Sequence, residues 1–195
     1  MDSLAAAGFD LVHPFDATRV ARELGIARLA DPARPYGILI GNTRALWAPF
    51  VAAVRSDPEL AASPDPLNLY TERTLGDALY GHRRYDGAFL PFQRIAVAAG
   101  LGTLSPTHLV IHPVYGPWFA LRAIKLVTDA PSPQKRLTAA CTCDAPCHTA
   151  YAHAMSSDSW RAWLAVRDCC TVGRAYRYDE DQLVYHYTQD RSRLR

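Results

Sequence analysis

At 195 residues, 49% hydrophobic and 21% charged, the chain is long enough to bury about 70% of its unfolded surface, which excludes a disordered chain or a coiled coil and predicts one globular domain over 1–195. The 21 Lys plus Arg against 19 Asp plus Glu leave a formal charge of +2 with no long basic run, so bulk electrostatics do not favour nucleic acid as a partner. No stretch approaches the ~20 apolar residues of a membrane helix, and the opening Met1-Asp-Ser-Leu-Ala-Ala-Ala lacks the basic region of a secretory signal, so a cytoplasmic protein without membrane contact is expected.

An amphipathic helix is predicted over 16–24, capped by Asp16 or Thr18, followed by a linker through Pro32 and Pro35. Residues 36–40 read as a short buried strand, after which Gly41-Asn42-Thr43 opens a helix to about Val54 with Asn42 or Thr43 as cap. Pro64 and Pro66 break the chain, a helix covers 67–80, and 81–87 is a polar connection. Helical spacing resumes over 88–99 and stops at Gly100 or Gly102. A dinucleotide fingerprint needs its glycines after a strand, so these two are read as a helix stop. Residues 106–127 read as one hairpin: apolar alternation from Leu109 to Ile111, a Pro113-Val-Tyr-Gly-Pro117 turn, then an apolar run over 118–127. A second break at 129–133 precedes a cysteine-rich segment of weak periodicity. Ser157 or Asp158 then caps a helix carrying Trp160, Trp163, Leu164 and Arg167, and the acidic residues at 179–181 open a last helix with its body at 183–187. Short separated strands and several helices, without regular βαβ alternation, predict an α+β layer architecture.

Arg122 stands out, because a guanidinium inside an apolar strand needs an anion or a set of carbonyls. With Arg167 it offers planar, bidentate recognition of a di-acid; the competing reading pairs Arg167 with Asp168, and Arg122 with some carboxylate, as structural ion pairs. His108 and His112 share a strand face and read either as ligand contacts or as imidazoles bonded to backbone. Cys141, Cys143 and Cys147, with His148, have the donor types for zinc or an iron–sulfur cluster at a non-standard spacing, against free or redox-active thiols. The tryptophans and carboxy-terminal tyrosines read as core or interface aromatics.

The run Ile111-His-Pro-Val-Tyr-Gly-Pro-Trp-Phe-Ala-Leu-Arg122, preceded by Ile95-Ala-Val-Ala-Ala-Gly100 and followed by Arg167-Asp168, Arg177-Tyr178 and Gln182, resembles the cytosolic vitamin B12 chaperone of the methylmalonic aciduria and homocystinuria type C family. The resemblance implies a flavin nitroreductase-like layer with an antiparallel sheet flanked by helices. It also implies a base-off cobalamin as cofactor and removal of its upper axial ligand, by glutathione-dependent dealkylation or reductive decyanation with glutathione or reduced FMN/FAD. By that resemblance Arg122 and Arg167 fall where family arginines grip glutathione. Thr107, His108, Leu109, Val110, His112, Gly116 and Trp118 fall on or beside the corrin pocket. The implied partners are a corrinoid, a glutathione-like thiol, a cobalamin-dependent acceptor protein and a second copy in a homodimer. Val97 stands where that family often has histidine, and Cys169-Cys170 where it has small residues. A more distant resemblance, through Ala98-Ala-Gly-Leu-Gly102 and Ile111-His-Pro113, is to the cobalamin-binding half of epoxyqueuosine reductase, in whose iron–sulfur frame only Cys143 and Cys147 are present. The alternatives are a flavin- or metal-dependent tailoring enzyme on the same scaffold, or a corrinoid carrier without chemistry.

Overall fold

A computed structural model describes residues 2–130, 137 and 143–195. Strands β1 (Leu11–Asp16), β2 (Tyr36–Asn42), β3 (Leu79–Tyr80) and β8 (Ala120–Val127) form an antiparallel sheet in the spatial order β1-β2-β8-β3. Two small ribbons lie outside it: β4 (Arg84–Tyr85) with β5 (Ala88–Phe89), and β6 (Thr103–Leu104) with β7 (Val110–Ile111). The α+β expectation of an antiparallel sheet flanked by helices holds.

Alternation along the central strands feeds two cores. Leu39 and Ile124 face α2 (Ala17–Leu24) and α6 (Phe92–Ala99), packing with Val20, Phe92 and Ile95. Ile40 and Ala123 face the other way, onto α3 (Trp47–Ser56), α4 (Pro58–Ala62), α5 (Pro66–Leu75) and α9 (Glu180–Thr188), packing with Phe50, Leu60, Leu67 and Tyr185. Each fully buried Leu, Ile or Phe in these layers contributes about 1.5–3 kcal/mol, so helices cover both faces of the sheet. A short α1 (Asp2–Ala6) leads into β1, while α7 (Ala145–Met155) and α8 (Trp160–Cys169) pack as a pair through Ala154, Ala162 and Val166.

The caps follow local chemistry. Asp16 accepts from Arg19 N at 2.7 Å and Asp179 from Gln182 N at 2.8 Å, as expected of acidic residues at helix starts. Thr43 accepts from Ala45 N at 3.3 Å, opening a 3-10 turn that leads into α3. At α8 the cap is Ser159 rather than Ser157 or Asp158; Ser157 instead accepts from Ser159 N at 3.1 Å. The helix predicted over 67–80 ends at Leu75, where Gly76 takes φ +65°, and its tail becomes β3. Residues 88–89 likewise leave the helix predicted over 88–99 to form β5, with Pro91 preceding α6.

The largest departure is the hairpin. β7 pairs with β6 and β8 with β2 and β3, so the two halves of 106–127 do not form one ladder. Only a bridge between His112 and Gly116 closes the turn. Moreover, the β2–β8 register steps from Ile40 opposite Ala123 to Gly41 opposite Leu121, which makes Arg122 the additional residue of a β-bulge. Leu121 stays with the core of α2 and α6 and Ala123 packs in the other core, with Arg122 between them in sequence. On its other side β8 meets β3 only at Ile124 and Ala123. The recess left beside Ile124 and Leu126 is lined by Arg28, Asp31, Arg34, Asp77 and Asp86. These are joined as Arg34–Asp31 at 2.8 Å, Arg34–Asp77 at 3.1 Å and Arg28–Asp86 at 3.4 Å.

Candidate functional site

A cleft of about 520 Å³ opens between β7, the start of β8, α6 and α8. Thr107, Leu109, Val110, Phe119, Trp163 and Arg167 are among its walls, with Leu121 and Tyr187 beside them. The volume lies within the ~300–1,000 Å³ of ordinary ligand pockets, and the lining is mainly apolar with a few polar groups. Trp163 keeps 39% of its surface exposed, an indole held half in solvent at the rim.

Arg167 reaches in from α8. Its Nη2 donates to the Pro117 carbonyl and, at 3.5 Å, to that of Phe119, and its guanidinium lies 4.8 Å from the Trp118 ring centre and 5.4 Å from that of Tyr178. Asp168 is not its partner: that carboxylate takes Arg177, at 2.6 and 3.2 Å. Arg122, re-aimed by the bulge, donates from Nε to Asn42 Oδ1 at 2.7 Å. Asn42 is fully buried and holds its amide by donating to the Thr43 carbonyl at 2.8 Å. Among the described residues neither Arg122 nor Arg167 forms an ion pair, contrary to the structural reading of both. Burial lowers the pKa of Arg122.

Both cations act on His186 of α9, whose pKa is pushed down to about 3 by burial and then by the charges of Arg122 and Arg167. The imidazole is therefore neutral. Gln182, one helical turn earlier, contacts it at 3.4 Å. Arg167 Nε and Gln182 Oε1 are buried with no hydrogen-bond partner among the described residues. Such orphans are costly, and one on Arg167 itself with another on the residue that contacts His186 suits a polar, anionic ligand.

The other sequence-derived residues divide. Thr107, Leu109 and Val110 line the cleft, and the Thr107 hydroxyl lies 3.0 Å from that of Ser105. His108 is exposed, with φ +60° and its ring 5.6 Å from Tyr151, and does not line it. His112 is turned inward: its Nδ1 accepts from Val114 N at 3.1 Å and Tyr115 N at 3.2 Å, so it holds the turn as an imidazole bonded to backbone. Burial, then His13, pushes its pKa down to about 4. Gly116, at φ +57°, lets the turn lie against Val172, whose carbonyl oxygen would sit 1.9 Å from an added Cβ. Trp118 is the buried floor beneath Arg167, 1% exposed. Cys141 lies outside the described residues; Cys143 and Cys147 border a small separate pocket with Cys169 and Cys170, and no group of three or more His, Cys, Asp or Glu among the described residues is arranged to hold a metal ion. Asn42, read only as a cap, holds Arg122, and His186, not singled out, lies within the influence of both cations. The four-residue spacing of Gln182 and His186 on one helix face was the available signal for the second.

No family model matches the sequence, and no curated protein does. Among solved structures the chain is similar to a crystal structure of the C. elegans B12-trafficking protein CblC, a human MMACHC homologue. The TM-score is 0.66, with 16% identity, over 100% of this chain and 92% of that one. At this identity the two share a fold.

Proposed function

We propose that the chain binds a corrinoid in this cleft and removes its upper axial ligand, using a glutathione-like thiolate whose carboxylates are held by Arg122 and Arg167. The observation that carries this reading is Arg167 in the wall of a largely apolar cleft, with Arg122 buried behind it, neither spent on a carboxylate among the described residues and both acting on the same His186. The fold shared with a B12-trafficking protein supports it.

The apolar walls from Leu109, Val110 and Phe119 suit one face of a flat macrocycle, and Trp163 would cover its rim. The cationic end recruits the anionic thiol and favours its thiolate, the attacking form. Sulfur then attacks the carbon bound to cobalt; the new S–C bond forms as the Co–C bond breaks, leaving its electron pair on cobalt. The neutral His186 adds no third positive charge at this end, and its imidazole can exchange hydrogen bonds with the bound anion. The corrinoid would afterwards pass to a cobalamin-dependent acceptor.

Anaerobic titration with methylcobalamin tests the first step, with a shift of the visible spectrum to the base-off form expected; an unchanged spectrum overturns the proposal. Glutathione added to the complex should then yield the S-methyl thioether and reduced cobalamin. Binding without conversion would make the protein a carrier without chemistry.

A further inference from the structure

A second constellation lies past the cleft, at the carboxy-terminal end of α8. Cys143 and Cys147, at the start of α7, and Cys169 and Cys170, at the end of α8, border one pocket of only about 20 Å³ together with Asp144, Thr171 and Val172. That is room for about one water molecule between the residues that line it. Cys147 is buried, Cys169 is half-buried, and both are free thiols. Cys169 Sγ donates to the carbonyl of Pro146, the residue before Cys147, at 3.6 Å. Burial, then the neighbouring Cys147, Asp144 and Asp168, raises the pKa of the Cys169 thiol against the opposing pull of Arg174. The two cysteines thus sit on helices already packed together.

We propose that Cys147 and Cys169 are a reversible dithiol–disulfide couple that exchanges with small-molecule disulfides. One protein thiolate attacks a sulfur of the external disulfide, whose S–S bond breaks and whose first half leaves as a thiol. The second protein thiolate then attacks the mixed disulfide and releases the other half. The external disulfide is reduced by two electrons to two thiols, and the protein pair is oxidised to one S–S bond. Only two sulfurs are needed, one from each helix. Oxidation would tie α7 to the turn of α8 that begins at Arg167, whose carbonyl accepts from Cys170 N at 3.2 Å.

The test incubates reduced protein anaerobically with glutathione disulfide, alkylates the remaining thiols, and maps the linkages by mass spectrometry. The expected product is a Cys147–Cys169 cross-link with loss of two hydrogens, two glutathione thiols released per protein, and reversal by dithiothreitol. Cys169→Ser should remove the cross-link and leave Cys147 as a mixed disulfide with glutathione; Cys147→Ser should likewise remove it. Cross-links joining other cysteines while Cys147 and Cys169 stay alkylatable would overturn the proposal, as would no thiol loss in the unmutated protein. Stoichiometric zinc that protects the thiols, with no cross-link formed, would overturn it in favour of a metal site. Because the readout is sulfur linkage alone, its failure leaves the corrinoid reading untouched.

Discussion

His112 shows how a residue suited to ligand binding can be spent on the chain itself. With Nδ1 accepting two backbone amides, the ring must be neutral, and its folded pKa of about 4 lies below the ordinary 6.5. Between those values the unfolded chain binds the additional proton, so stability falls as pH drops through the window, by at most about 1.4 kcal/mol per pH unit for this one group. Urea unfolding at pH 7, 6 and 5 should show that decline, and His112→Asn, which keeps an acceptor without titrating, should make it shallower, the remainder coming from His186. Arg122 makes the opposite case. Arg122→Ala should leave methylcobalamin binding in place while the glutathione-dependent rate drops roughly 10–100-fold, the worth of a charged hydrogen bond of about 1.5–3 kcal/mol. Arg122→Lys should restore little, since an ammonium lacks the fork that reaches both Asn42 and an anion. The oddity of Arg122 was visible in the sequence, because charge rarely interrupts an apolar strand. That Arg167 would bypass its neighbour Asp168 was not, because Arg177 reaches that carboxylate from beyond the end of α8.

Among the elements, local signals were readable and pairing was not. β2, α2, α8 and α9 follow from periodicity and capping residues, with small shifts at the ends. β1 escaped because Pro14 interrupts its pattern, a residue tolerated on a strand with a neighbour on one side only. α7 escaped because few of its residues, Cys147 and Ala154 among them, are buried. The hairpin was misread since apolar runs flanking a turn imply antiparallel neighbours, whereas β8 found β2 about eighty residues earlier in the chain. The turn between β7 and β8 is instead fixed by contact with 172–173. Gly116→Ala should therefore cost at least about 2 kcal/mol, from the left-handed backbone alone plus the collision with Val172. Gly87→Ala, at φ +83° with nothing within 4 Å, should cost only about 1–2 kcal/mol. Urea midpoints of the two variants give the comparison.

At the scale of the molecule, the cleft draws its walls from residues spread between Phe92 and Tyr187, so a ligand there bridges several elements. Binding to the folded state alone at a hundredfold excess over Kd stabilises by about 2.7 kcal/mol, a rise in Tm of roughly 5–10 °C for a chain of this size. Thermal unfolding with saturating methylcobalamin should show that rise, and Trp163→Ala, which trims an exposed rim residue, should shrink it without lowering the Tm of the free protein. The layer architecture was legible from the mixture of strand and helix patterns. The cleft's outline was not, because it depends on how α8 and α9 settle against the turn after β7. The unfinished side of β8 has its own consequence. Arginine–aspartate pairs stand like a fence over a rim where a foreign strand could otherwise dock, and fences of this kind weaken as ions in the medium screen them. Concentrated salt would loosen that guard first, making the rim beside Leu126 the place where self-association of the folded protein begins.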